Sequence, residues 1–123
     1  MITIDEMEIL LDEISKELPE DLYKNLNGGI LLLPESRQHT SEKTKDLYIL
    51  GEYHRDNVLG RYIAIYYGSF IQIYGYLSND QMKERLKKTL KHEFRHHLES
   101  QAGDKTLERE DADNIEKHKN RNR

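Results

Sequence analysis

Apolar positions recur at helical spacing near the N-terminus of the chain. Between Asp5 and Leu18 they return every three or four residues, which predicts an amphipathic helix. Asp5 is the expected N-cap, and Pro19 ends the pattern. A short second helical turn is expected to begin at Pro19, with Leu22 and Leu26 facing inward.

The last third of the chain carries a longer helical pattern. Ser78 is a suitable N-cap, and a helix is predicted from there to about Gln101, with Gly103 as its C-cap. One apolar stripe with a spacing of four residues runs along it: Met82, Leu86, Leu90, Phe94 and Leu98. The stripe indicates that this helix packs along its length against the rest of the domain.

The middle of the chain is typical of β-strands. A short apolar run from Ile30 to Leu33 follows a glycine pair, and Leu47 to Tyr53, Arg61 to Tyr67 and Phe70 to Tyr74 are rich in aromatic and β-branched residues. Residues 35–46 are polar and without periodicity, which predicts an exposed loop. Phe70 to Tyr74 is also a candidate edge strand that could align an extended peptide.

Together these elements predict a strand-rich middle between helical segments. With 123 residues, the chain is expected to form a single domain, 1–123, whose residues 105–123 make a short helix and a frayed tail. Its longest apolar run is too short to span a membrane. The chain has no cysteines and no secretory pattern at its N-terminus, so a cytoplasmic protein with no disulfides is expected.

Charge argues against nucleic acid as a partner. The formal net charge is -4, whereas nucleic-acid-binding domains are usually basic. The basic residues of segment 83–95 are interpreted as a solvated helix face, and the tyrosines between Tyr48 and Tyr76 as part of a half-buried sheet.

The long helix contains the pattern H-E-x-x-H at His92, Glu93 and His96. Four residues along an α-helix correspond to about 6 Å of rise and about 40° of rotation, so both imidazoles can bind one zinc ion. Glu93 projects beside the metal without binding it. From there it can act as general base and then general acid, taking a proton from the activated water and passing it to the leaving amine.

With its strands followed by a helix bearing H-E-x-x-H-H, the chain resembles the small zincin-like metallopeptidases known as minimal zincins or minigluzincins. The segments that carry the resemblance are Leu18 to Leu22 at the end of the first helix, Leu50 to Tyr53, Ile63 to Tyr66 and, most specifically, Leu90 to His97. The resemblance implies an α+β fold in which a small twisted mixed sheet packs against the helix that carries the motif. It also implies a zinc-peptidase site with one Zn²⁺ ion as cofactor. Peptides or unfolded protein segments are the implied substrates, with no membrane or nucleic-acid partner.

The third zinc ligand is not fixed by the motif. Members of the resembled family often have Gly seven residues and Asp ten residues after the first histidine, where this chain has Glu99 and Ala102. A shift of two residues would bring Asp104 into the role, just after Gly103, where the chain could turn back. Glu108, with Glu110 and Asp111, is the alternative, and Glu99 is a further one.

The remaining polar candidates have less specific roles. His97 is expected to be a hydrogen-bonded, partly buried histidine, and His39 and His54 ordinary surface residues. Tyr53, Tyr74 or His118 could stabilise the oxyanion. A zinc metallopeptidase is the function these residues favour, and a non-catalytic zinc-binding or protein-interaction module is the alternative.

Overall fold

A computed structural model describes residues 1–39 and 47–107 of the chain. Within these residues, three α-helices and three strands make up the fold. In chain order they are α1 (Ile4–Glu17), β1 (Gly29–Leu33), β2 (Gly51–Asp56), β3 (Gly60–Tyr66), α2 (Tyr67–Tyr74) and α3 (Asn79–Leu107). A short 3-10 helix, Glu20–Tyr23, follows α1. The predicted α+β class with a small mixed sheet is confirmed.

The sheet has the order β1-β3-β2, with β1 parallel and β2 antiparallel to the central strand β3. Asp56 closes the β2–β3 hairpin, because its carboxylate accepts hydrogen bonds from the amides of Val58 and Leu59 at 2.8 and 2.7 Å. Gly60 ends this turn with a φ of 78°, a conformation that favours glycine. The tight connection sets the register in which Tyr53 lies opposite Ile63.

Helix α3 lies at the centre of the packing, in contact with α1 on one side and with β2 and β3 on the other. Four residues of its predicted apolar stripe are fully or almost fully buried: Met82, Leu86, Leu90 and Phe94. Leu98 is exposed. From α1, Met7, Leu11 and Ile14 join the same core. Burial of this stripe fixes the rotation of α3 about its axis, and hence the direction in which its histidines point.

Both long helices begin with a capping box. Thr3, rather than the expected Asp5, caps α1: its hydroxyl accepts from the Glu6 amide, and the Glu6 carboxylate accepts from the Thr3 amide. At α3, Ser78 and Gln81 make the same reciprocal pair. The prediction of Ser78 as N-cap is therefore confirmed.

The prediction of a strand at Phe70 to Tyr74 is wrong, since these residues belong to α2. Aromatic and β-branched residues favour a strand only weakly, and packing decides between the two states. As a helix, the segment buries Phe70 completely. Gly68 allows the close approach of the chain to Glu35, whose carbonyl accepts from the Gly68 amide at 3.1 Å. The expected edge strand for a peptide is therefore not at this position.

Helix α3 also extends beyond its predicted end. It continues through Gly103, the expected C-cap, as far as Leu107. A helix carries an interior glycine at a cost of about 1 kcal/mol, which the packing of α3 can offset. Within residues 1–39 and 47–107, none of the helices combines the length and apolar character that a membrane span requires.

Candidate functional site

The two histidines of the motif lie side by side on α3. The Nε2 atoms of His92 and His96 are 3.2 Å apart, and their rings are nearly perpendicular, at 89°. Two nitrogen ligands about 2.1 Å from a tetrahedral zinc ion are expected to be about 3.4 Å apart. The spacing of the two nitrogens therefore fits a shared zinc ion.

The other ring nitrogen of His96 points towards a carboxylate. Nδ1 is buried without a hydrogen bond to any residue that the structure describes, and Glu99 Oε1 approaches it to 3.5 Å. A histidine that binds a metal through Nε2 commonly donates from Nδ1 to such a group. The pKa of His96 is lowered mainly by burial and then by the neighbouring His92, which favours the neutral ring that a metal needs. Glu99 is thus placed to orient His96 rather than to join the two Nε2 atoms.

Glu93 is almost completely buried, with 4% of its surface exposed. Burial raises the pKa of its carboxyl to about 7, and the charge of Glu52 adds to the shift. A carboxyl with a pKa near neutrality can both accept and return a proton at physiological pH, which is the property required of a general acid–base. Glu93 has this property where the sequence predicted a catalytic carboxylate.

Glu52, on β2, is a site residue that the sequence analysis did not single out. Its Oε1 atom accepts a hydrogen bond from the Tyr66 hydroxyl at 2.7 Å and lies 3.1 Å from His54 Nε2. Arg37 Nε is 3.4 Å from the same atom. Burial, followed by the bond to Glu52, raises the pKa of Tyr66 to about 12, so its hydroxyl stays protonated and donates. A charged residue inside the apolar segment from Leu50 to Tyr53 was the available signal.

A pocket of about 680 Å³ opens beside these groups. One wall is the face of α3 that carries Arg85, Lys88, Thr89, His92 and Glu93. The opposite side consists of Arg37, Gln38, His39, Tyr48, Ile49, Leu50, Gly51 and Glu52, and Tyr74 completes the lining. The volume lies within the range of small-molecule sites. His92 and Glu93 of the motif face this space, whereas His96 does not line it.

Asp104, the first choice as third ligand, is not brought to the histidines. Because α3 continues through it, it lies eight residues, or about 12 Å of helix rise, beyond His96. Its carboxylate pairs with Arg55 at 3.0 Å and with Arg61. Among residues 1–39 and 47–107, no set of three histidine, cysteine or acidic residues is arranged to hold a metal.

The alternative third ligands Glu108, Glu110 and Asp111 lie outside the described residues, as does His118, one of the candidates for oxyanion stabilisation. Of the other two candidates, Tyr74 lines the pocket. Tyr53 does not line the pocket described above, and its hydroxyl bonds to His97 on the buried side of α3.

His97 is hydrogen-bonded, as expected from the sequence, but it is fully rather than partly buried. His54 differs from its interpretation as an ordinary surface residue. It lies on β2, stacks on Tyr62 with ring centroids 5.0 Å apart, and contacts Glu52. His39 lines the pocket and is half-buried.

Comparison with known proteins identifies a relative of unknown function. No family model and no curated protein matches the chain. Among solved structures, a conserved hypothetical protein from Thermus thermophilus aligns with a TM-score of 0.70 and 32% identity, over 82% of this chain and 98% of that chain. The similarity therefore covers nearly the whole of the neighbour in both sequence and fold. The chain belongs to the same family as this conserved hypothetical protein.

Proposed function

We propose that this protein is a small zincin-like metallopeptidase that binds one Zn²⁺ ion through His92 and His96. The observation that carries the proposal is the 3.2 Å separation of the two Nε2 atoms, which matches two ligands of one tetrahedral ion. The buried carboxyl of Glu93 follows directly in the chain, in the wall of a pocket large enough for a peptide segment. The motif, the pocket and the buried acid thus point to the same chemistry.

Zinc, when bound, supplies Lewis-acid activation of water and of the substrate carbonyl. The chain's own contribution comes from Glu93, which accepts a proton from the attacking water and then donates it to the leaving amine. The acidic neighbour Glu52 supports this exchange, since its charge raises the proton affinity of Glu93. Glu99, whose Oε1 atom lies 3.5 Å from Nδ1 of His96, is the group that would orient this ring for metal binding.

A catalytic zinc ion usually has a third protein ligand in addition to water. Asp104 pairs with Arg55 and Arg61, so we do not propose it for this position. Glu108, the leading alternative from the sequence, lies outside the described residues, and we propose it as the candidate to be tested by substitution. A carboxylate in this position would give the two-histidine, one-carboxylate set that some hydrolytic zinc sites use.

Zinc titration calorimetry on chelator-stripped protein tests the metal site. We expect submicromolar binding by the wild type and a loss of at least about 100-fold in His92→Ala and in His96→Ala. His39→Ala is the matched control, because His39 lines the same pocket without belonging to the helical pair. Glu108→Gln should weaken binding. Equal losses in His39→Ala and His96→Ala, or no binding by the wild type, would reject the site.

Hydrolysis of a quenched-fluorescence peptide library tests the activity. Glu93→Gln should keep zinc affinity within about threefold and lower turnover by about 10²- to 10⁴-fold, the usual contribution of a general acid–base. Retained turnover would exclude Glu93 as the proton carrier. Tight zinc binding with no hydrolysis of any peptide by the wild type would instead establish the non-catalytic zinc-binding module.

A further inference from the structure

Four basic residues of α3 differ in their surroundings. On the side facing α1, Lys83 and Lys87 bind the carboxylate of Glu17 at 2.7 and 3.0 Å, and Lys83 also lies 3.5 Å from Glu13. These charges are therefore neutralised within the fold. Arg85 and Lys88 are exposed and line the pocket, and neither pairs with a carboxylate in the described part of the chain. The interpretation of segment 83–95 as a solvated helix face therefore does not describe Lys83 and Lys87, whereas Arg85 and Lys88 are exposed to solvent and face the pocket.

Arg85 is held in a defined position at the pocket. Its guanidinium lies 5.0 Å from the centre of the Tyr74 ring, which also lines the pocket. Such stacking orders the planar guanidinium and leaves its N–H edge available to a carboxylate. On the other side of the pocket, Arg37 extends over the Tyr66 ring at 5.7 Å, and half of its side chain is exposed.

The negative groups of the pocket lie deeper than these cations. Glu93 is 4% exposed, and the side chain of Glu52 is 20% exposed and in contact with Arg37 and Tyr66. An incoming ligand thus meets Arg85 and Lys88 before it meets either carboxylate. This arrangement attracts an anionic group at the entrance while the reacting end of the ligand reaches Glu93.

We propose that the pocket selects peptides bearing Asp or Glu near the bond to be cleaved, with Arg85 and Lys88 as the residues that recognise the acidic side chains. This inference rests on the proposed peptidase function. Lys88 and Arg85 precede His92 by four and seven residues, or about 6 and 10 Å of helix rise. An extended peptide covers about 3.3 Å per residue, so the acidic position is roughly two or three residues from the scissile bond.

Binding is measured on zinc-loaded full-length Glu93→Gln protein, so that substrate is held without turnover. The probes are two fluorescein-labelled decapeptides that differ only in a Glu pair replaced by a Gln pair, and the readout is fluorescence anisotropy. We expect the acidic peptide to bind about 10-fold more tightly, with the preference falling as salt is added. Arg85→Gln combined with Lys88→Gln should abolish the preference. Equal binding of the two peptides would overturn the proposal.

Lys91→Gln is the matched control, because it removes the same charge from an exposed position of α3 that does not line the pocket. It should leave the preference unchanged, and a loss equal to that in Arg85→Gln combined with Lys88→Gln would show general charge attraction and overturn the proposal. A single-stranded oligonucleotide is the competitor. Tighter binding of this oligonucleotide through Arg85 and Lys88 would assign the pocket to phosphate and overturn the peptide proposal.

Turnover of both peptides by protein with Glu93 intact separates the two proposals. Zinc-dependent cleavage with no acidic preference in binding or in kcat/KM refutes the specificity and leaves the peptidase function in place. An acidic preference in binding without any cleavage refutes the peptidase function and leaves Arg85 and Lys88 as a recognition site for acidic peptides.

Discussion

The Tyr53 hydroxyl donates a hydrogen bond to His97 Nδ1 across 2.8 Å and so joins β2 to the buried side of α3. The opposite ring nitrogen, Nε2, donates to the Lys24 carbonyl at 2.7 Å. Since a carbonyl only accepts, the neutral ring carries its proton on Nε2. His97 directly follows His96 in α3. These two hydrogen bonds therefore connect the helix that carries the motif to the sheet and to the segment that follows α1.

Removal of the Tyr53 hydroxyl should therefore destabilise the fold. Tyr53→Phe leaves the buried Nδ1 atom of His97 without its donor, which is expected to lower the free energy of unfolding by about 1–3 kcal/mol. Urea denaturation followed by circular dichroism measures the change. Tyr62→Phe is the control, because no described residue bonds to the Tyr62 hydroxyl, and it should change stability by less than about 0.5 kcal/mol. An equal effect of both changes would contradict the role of the bond.

Acid should lower the free energy of unfolding through protonation of His97. Burial lowers the pKa of His97 in the folded state below its ordinary value of 6.5. The unfolded chain then binds more protons just below that value, so stability is fully present above about pH 6.5 and is lost as the pH falls towards the folded pKa. His97→Gln, which can still donate and accept, should remove this part of the pH dependence. The free energy of unfolding is measured from pH 8 to pH 5 for the wild type and for His97→Gln. A difference between the two proteins that does not change with pH would refute the assignment.

Glu93 should make stability change with pH in the opposite direction, because its pKa is raised in the folded state. Its folded pKa of about 7 exceeds its ordinary value of 4.5, so the folded state binds more protons between these values. Its contribution to stability is present at low pH and decreases as the pH rises from about 4.5 to 7, by at most about 3 kcal/mol. With chelator present, Glu93→Gln should be more stable than the wild type at pH 8 and closer to it at pH 5.

Urea denaturation at pH 8 and pH 5 measures this difference. Glu84→Gln, an exposed position on the same helix, is the control and should change stability little at either pH. If Glu93→Gln is less stable than the wild type at pH 8, the buried carboxylate does not destabilise the fold and the prediction is wrong. The expected result is typical of a residue kept for function at the expense of stability.

Asp104 should contribute to stability and not to metal binding. Asp104→Asn weakens the ion pairs with Arg55 and Arg61 and is expected to lower the free energy of unfolding by about 1–2 kcal/mol. Zinc affinity, measured by calorimetry, should change by less than about threefold. Asp12→Asn is the control for an exposed pair, with Lys16, and should cost at most about 0.5 kcal/mol. A tenfold loss of zinc affinity in Asp104→Asn would restore it as the third ligand.

The sequence by itself determined the elements whose cause is local. The spacing of apolar residues predicts α1 and most of α3, and the 3.6-residue period of a helix brings His92 and His96 to one side. Their juxtaposition therefore needed no knowledge of the rest of the fold. Strands β1 and β3 were likewise recognisable from short apolar and β-branched runs.

Only the tertiary structure decided which distant groups surround the motif. Glu52 approaches Glu93 because β2 packs across α3, and a one-residue shift in the pairing of β2 with β3 would turn it to the other face. Asp104 is paired with Arg61 because α3 continues past Gly103, where local preference favoured an end. Packing likewise places Phe70 on a helix, because its burial in the core outweighs the strand propensity of the segment. Local periodicity sets a residue's position within its own element, whereas contacts between elements depend on packing over the whole chain.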